Sequence, residues 1–208
     1  MPGDIVSDRV NELYRGEIFD LETQNTCRDR VHWMCSQTIG NDVLDIGCSQ
    51  GITSLLLGRE GHHVVGVDID PAAIEYALKE LEKEPEYVRR NVKFQLVSGE
   101  GLPFADESFD TVILGEIVEH LTRPERLLAE ARRLLRPRGR AIITTPFGVH
   151  PHPGHVRTFY LSSFLGMAGQ FFGVQSLRVV DGYITSVSYT HLRAHETPEH
   201  LVCRLLLE

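Results

Sequence analysis

The chain has 208 residues, of which 42% are hydrophobic and 24% charged, and its formal net charge is −8. That is the composition of one globular domain with a sizeable core, and its acidic balance argues against a nucleic-acid partner. The opening stretch Met1 to Phe19 mixes Asp4, Asp8, Arg9, Glu12, Arg15 and Glu17 with its apolar residues, which excludes a signal-peptide core, and no later run has membrane-spanning length.

Apolar periodicity places a helix over Val10, Leu13, Tyr14, Glu17 and Ile18, in which only Glu17 is polar. A second stripe follows at Cys27, Val31, Met34, Cys35 and Thr38. Asp42 to Ile46 then reads as a buried strand, followed by a glycine-rich turn and a helix from about Ile52 to Arg59. Val64 to Val67 is the second strand. Pro71 suits the first position of a helix running to about Lys83. Val92 to Val97 and Phe109 to Leu114 are strands three and four. A helix covers Arg123 to Leu135, and Ala141 to Thr144 is strand five. A helix over Leu161 to Gln170 and a strand over Val174 to Val180 complete the series. Strand and helix in repeated alternation predict an α/β fold, a doubly wound and mostly parallel Rossmann-like sheet. Residues 1–185 read as one domain: helices at 1–40, a cofactor-binding core at 41–146, and an acceptor-side loop, helix and strand at 147–185.

From about Ser186 the sequence SVSYTHLRAHETPEHLVCRLLLE loses this rhythm. It resembles translated sequencing-adapter read-through, so residues 186–208, with His191, His195, His200 and Cys203, are set aside as one sets aside a tag. The four cysteines, Cys27, Cys35, Cys48 and Cys203, show neither C-x-x-C pairing nor metal-ligand spacing, and a reducing cytoplasm is the expected compartment.

The strongest signal is Val43-Leu44-Asp45-Ile46-Gly47-Cys48-Ser49-Gln50-Gly51, a strand entering a turn whose glycines let a ligand approach the backbone. Ser49 stands where a G-x-G-x-x-G dinucleotide loop has its second glycine, which disfavours an NAD-dependent oxidoreductase. The second strand ends Gly66-Val67-Asp68-Ile69-Asp70-Pro71. An acid about twenty residues past the glycine turn can accept both hydroxyls of a ribose. Asp68 has that place, and Asp70 suits a cap for the helix at Pro71. The third feature is Glu100-Gly101-Leu102-Pro103-Phe104-Ala105-Asp106-Glu107-Ser108-Phe109-Asp110, joining strands three and four.

Together these segments resemble the class I S-adenosylmethionine-dependent methyltransferases over roughly Asp42 to Thr144. The resemblance implies S-adenosylmethionine as cofactor. Asp45 would anchor the turn and the methionine amino group, with Gly47, Cys48, Gly51 and Gly115 lining the cofactor. Asp68 would take the ribose, and Ile69 would stack on adenine. Ser98, Gly99 and Glu100 would edge the adenine, although Ser98-Gly99 departs from the Asp-Ala usual in the family. Cys48 is small filler there, not a nucleophile. The family's final strand inserts between strands five and six. Here that strand is expected within the tail, so the slot is left empty or filled by Leu201 to Leu207.

After strand four comes Gly115-Glu116-Ile117-Val118-Glu119-His120. If helical, it aligns Glu116, Glu119 and His120 at i, i+3 and i+4. With His155 it resembles two branches of the family, the ubiquinone-pathway O-methyltransferases and the small-RNA 2′-O-methyltransferases. The second implies a divalent cation (Mg, Mn or Zn) on Glu116, Glu119, His120 and His155. Many metal-free relatives instead use the Glu–His pair alone, with His120 near the sulfonium or as general base. His150 and His152, alternating with Pro151 and Pro153, read as a stiff solvent loop. Seven arginines lie between Arg123 and Arg140. Of these Arg132, Arg133 and Arg136, interleaved with Glu125 and Glu130, read as a solvated helix face. The expected reaction is methyl transfer to a small-molecule hydroxyl (a phenol, a sugar or another metabolite). The alternatives are an RNA 2′-O-methyltransferase and a catalytically inactive binding protein of the same fold.

Overall fold

The computed structural model describes residues 9–97, 101–149, 152, 154–180 and 182–189. The chain folds as two compact units, residues 1–100 and 101–208. Among the described residues no helix is long and apolar enough to cross a membrane.

The first unit opens with α1 (Val10–Arg15) and α2 (Leu21–Gln37). Gly16, at φ 81°, stops α1 before Glu17 and Ile18. Its buried residue is Asn11 rather than the expected apolar stripe. Asp20 starts α2 by accepting the N–H and hydroxyl of Thr23, and Cys27, Val31, Met34 and Cys35 form its buried face as expected. Next come β1 (Asp42–Ile46), α3 (Ile52–Arg59), β2 (His63–Asp68) and α4 (Pro71–Glu82). Asp70 caps α4 through the N–H of Ala72, with Pro71 at its first position. A short helix that periodicity does not reveal, α5 (Glu86–Asn91), leads without a loop into β3 (Val92–Leu96). Only Val88 of α5 is buried, so it carries no stripe to read. The three strands are parallel in the order β3-β2-β1. Val43, Leu44 and Ile46 of β1, Val64 and Val67 of β2, and Val92 and Phe94 of β3 are their buried apolar residues.

The second unit contains β4 (Phe109–Gly115), a 3₁₀ turn (Val118–His120), α6 (Pro124–Leu134), β5 (Leu135–Pro146), α7 (Leu161–Ala168), β6 (Gly173–Val180) and β7 (Tyr183–Tyr189). Leu128, Ala131 and Leu134 bury one side of α6. β5 begins at the residue after α6 and is longer than the Ala141 to Thr144 segment expected. Its outer part, Arg136 to Arg138, looks like a loop in sequence because Pro137 and Arg138 are exposed. Arg136 thus lies in a strand, not on the helix, and bonds Asp110 at 2.8 Å. Arg133 is no solvated arginine either: it bonds Glu130, Asp106 and the carbonyls of Leu102 and Phe104. Glu130 also accepts the N–H of Leu102, so α6 straps down the Leu102-Pro103-Phe104 segment.

The strand order here is β4-β5-β7-β6, with β4 and β5 parallel and β7 antiparallel to both its neighbours. This corrects the expectation for the final strand. The slot beside β5 is neither empty nor left for Leu201 to Leu207, which lies outside the described residues. Tyr183–Tyr189 fills it, pairing from Tyr183↔Pro146 to Tyr189↔Arg140. Ile184, Thr185, Ser186, Val187 and Ser188 are all buried. The strand is hard to read in sequence because Thr185, Ser186 and Ser188 break the apolar run, although β-branched and aromatic residues make up the rest.

Candidate functional site

In the first unit the turn after β1 is pinned to the end of β2. The carbonyl of Val67 accepts the N–H groups of Gly47 and Cys48 at 2.8 and 3.1 Å. The Asp68 carboxylate accepts the N–H of Ser49 through Oδ2 at 2.8 Å and that of Asp70 through Oδ1 at 2.9 Å. Gly47 and Gly51 have φ values of 72° and 86°, and Ser49 itself takes φ 47°. A serine in that region costs about 1–2 kcal/mol, which its bond to Asp68 offsets. Gly51 is required on a second count: a Cβ there would stand 2.5 Å from Cζ of Phe94. Ile69 is 68% exposed beside Asp68, an apolar side chain held out at the carboxyl end of a parallel strand.

Asp45 is buried and accepts the Ser54 hydroxyl at 2.7 Å. Burial pushes its carboxyl up to about 6. Burial also drives the Cys48 thiol well above its ordinary range, so it is no nucleophile at neutral pH. Gln50, which sequence reasoning passed over, is buried, and its Oε1 accepts the backbone N–H of Asn11 at 2.9 Å. It ties α1 to the turn, and no spacing rule could have revealed it. Ser98, Gly99 and Glu100 lie outside the described residues.

In the second unit the segment after β4 is not the helical face expected. Glu116 sits at φ 53° with its N–H on the carbonyl of Thr144, extending the β4–β5 pairing. The turn that follows closes from His120 N–H to the Ile117 carbonyl, an i→i+3 bond. Glu119 is 1% exposed and accepts the Thr145 hydroxyl at 3.0 Å. Its backbone carbonyl accepts Val156 and Arg157 N–H, docking the next loop onto the turn. Arg157 completes the dock by donating to the Thr122 carbonyl at 2.6 Å.

That loop brings histidines together. His120, His152 and His155 offer ligand atoms that all lie within 4.8 Å of one another, the first two exposed and the third half-buried. Nδ1 of His120 bonds the Gly154 carbonyl at 2.9 Å, and the N–H of Gly154 donates to Nδ1 of His152 at 3.2 Å. A Cβ on Gly154 would stand 3.0 Å from His120 Nδ1, so the glycine makes the close approach affordable. His152 and His155 are linked by an N–H to carbonyl bond of 3.0 Å, the signature of an H-x-x-H turn. That spacing was the available signal, and the flanking prolines hid it. The expected metal set of Glu116, Glu119, His120 and His155 does not converge as one cluster. Among the described residues the side chains that do converge are the three histidines, while the Glu119 carboxylate is turned inward onto Thr145. His150 lies outside the described residues.

The model of a methyltransferase domain matches residues 44–143. The chain is 30% identical over 119 residues to the demethylmenaquinone methyltransferase of Tropheryma whipplei strain Twist, covering 54% of this chain and 47% of that protein. It is 30% identical over 154 residues to the mitochondrial ubiquinone biosynthesis O-methyltransferase of Schizosaccharomyces pombe, covering 61% and 53%. It thus spans about half the length of these relatives. Among solved structures, the [4+2]-cyclase SpnF aligns at TM-score 0.73 and 16% identity over 82% of this chain and 84% of its own. An S-adenosylmethionine-dependent methyltransferase from Aquifex aeolicus aligns at 0.66 and 18% over 88% and 97%. At such identities the structures speak to the fold alone, which is the Rossmann-like methyltransferase fold. Taken with the glycine turn and the acidic end of β2, these matches make residues 44–143 similar to the class I S-adenosylmethionine-dependent methyltransferases.

Proposed function

We propose that this chain transfers the methyl group of S-adenosylmethionine to a hydroxyl oxygen of a small, largely apolar acceptor. The observation that carries the cofactor half is Asp68, oriented by two backbone N–H groups beside the glycine turn. Each carboxylate oxygen retains a lone pair, so the ribose hydroxyls can be received without rebuilding the turn. Ile69 offers the adenine an apolar face, and Asp45 offers the methionine ammonium a counter-charge.

The acceptor half rests on the second unit. Exposed Phe147, Val149, Val156 and Tyr160 flank the histidine loop in the chain, and the rings of Phe147 and Tyr160 meet edge to face at 5.8 Å. Such a rim suits a phenol or quinol better than a sugar. The names of the two quinone-pathway relatives point the same way. In the reaction the acceptor oxygen attacks the methyl carbon in line. The carbon–sulfur bond breaks, and its electron pair stays on sulfur, giving a neutral thioether. The hydroxyl proton leaves on the histidine side, where His120, with Nδ1 committed to Gly154, presents Nε2. Most of the rate comes from holding the two reactants in that line.

Two measurements test this. Calorimetry with S-adenosylmethionine and S-adenosylhomocysteine should show one binding site, and radiolabelled methyl should pass to a catechol or hydroquinone. No cofactor binding would overturn the whole reading and leave an inactive fold. Transfer to sugars or short RNA but not to phenols would overturn the acceptor class.

A further inference from the structure

We infer that His120, His152 and His155 form a binding site for a late first-row cation such as Zn²⁺ or Co²⁺, with a coordination position left open. Three imidazoles whose ligand atoms lie within 4.8 Å of one another need only small side-chain rotations to close on a single ion at metal–nitrogen distances of ~2.0–2.1 Å. The site is built, not accidental. The Gly154 carbonyl takes the Nδ1 proton of His120, which fixes the tautomer that presents Nε2 to a metal. Gly154 also lacks the Cβ that would press on the His120 ring. The loop itself is held by Val156 and Arg157 N–H on the Glu119 carbonyl.

The donor chemistry chooses the metal. Neutral imidazoles suit zinc, cobalt, nickel and copper, whereas magnesium and calcium take oxygen ligands. The two carboxylates of the resembling metal set are not in this cluster, so the cation expected here differs from Mg²⁺. Two of the three histidines are exposed, which leaves room for water or a hydroxyl on the open face. A cation held there would supply Lewis acidity toward an acceptor hydroxyl, and His120 would then serve as a ligand in place of its role as base. This deepens the acceptor half of the proposed reaction, but the binding claim is read without cofactor or acceptor, so it stands or falls separately.

The test uses untagged, EDTA-stripped protein. Calorimetric titration with zinc sulfate should show one ion per chain, and cobalt chloride should give the intense visible bands of a low-coordinate Co²⁺ site. His152→Ala or His155→Ala should weaken zinc binding by about 100-fold or more, and Gly154→Ala by roughly 10–100-fold, the range for lost outer-shell support. Glu116→Gln should leave the affinity unchanged, as should magnesium chloride in excess. His191, His195 and His200 all changed to alanine should also leave it unchanged, which separates this site from adventitious binding elsewhere. Thermal melts of each variant control for folding. The proposal is overturned if the stripped protein shows no cobalt bands, or if His152→Ala binds zinc as tightly as the parent. It is equally overturned if Glu116→Gln abolishes binding, which would restore the carboxylate set.

Discussion

Replacing Gly51 with alanine adds one methyl group where both backbone and space forbid it. At φ 86° an L side chain costs about 1–2 kcal/mol. The new Cβ would lie 2.5 and 2.7 Å from Cζ and Cε1 of Phe94, and 3.1 Å from Cβ of Ala77. Phe94 is buried, so its ring cannot swing into solvent, and overpacking of this kind costs about 1–3 kcal/mol. The sum, about 2–5 kcal/mol, is a large share of the ~5–15 kcal/mol that holds a domain together. The two parts separate in a Phe94→Leu background, which removes the two clashing ring atoms and leaves the backbone strain. There Gly51→Ala should cost only ~1–2 kcal/mol, giving a coupling of about 1–3 kcal/mol between the sites. Urea unfolding followed by circular dichroism measures all four corners of the cycle. Equal costs in the two backgrounds would refute the steric argument, and a cost below 1 kcal/mol in the parent would refute both parts.

Asp68→Ala removes the acceptor for Ser49 and Asp70 N–H together with the proposed ribose contacts, so cofactor binding should weaken by about 2–4 kcal/mol. Unchanged affinity in calorimetry would make that acid purely structural. Asp45, held near 6, keeps its proton more tightly folded than unfolded, where a carboxyl titrates near ~3.9. Its contribution to stability is therefore full below about pH 4 and lost as pH rises through 6. If it faces the methionine ammonium, cofactor affinity should climb between about pH 5 and 7 with proton release, seen by calorimetry in buffers of different ionisation enthalpy. A flat profile would remove it from the site. Amides of Tyr183–Tyr189, paired on both sides, should exchange among the slowest of their unit, and rapid exchange there would contradict the strand.

What could be read in advance follows from how local the determining physics is. Asp42 to Ile46, Pro71 and the Asp70 cap announce themselves within a few residues, because apolar runs and caps are short-range signals. The glycine turn was legible because its demand on φ leaves so few residue choices. α5 was not, since Glu86–Asn91 buries a single valine. Arg133 looked like a surface charge because its partners, Asp106 and the carbonyls of Leu102 and Phe104, come from a distant stretch of chain. The histidine cluster fell between the two cases. The His152–His155 spacing is local, but the approach of His120 depends on Gly154 and on the Glu119 carbonyl, which only the folded loop brings together.

The position of β7 has a consequence for how the protein is made. β6 is paired only with β7 among the described strands, and β7 is the later of the two to leave the ribosome. After Pro146 emerges, β5 must wait for Tyr183 onward before its free edge is covered. At ~5–20 residues per second that wait lasts seconds. During it, the edge of β5 that β7 later covers offers its unpaired N–H and C=O groups to any neighbouring chain. A nascent chain stalled before residue 183 thus lacks the partner that turns β6 into part of a sheet. Crowded polysomes, rather than the finished protein, are where this fold is most exposed to mispairing.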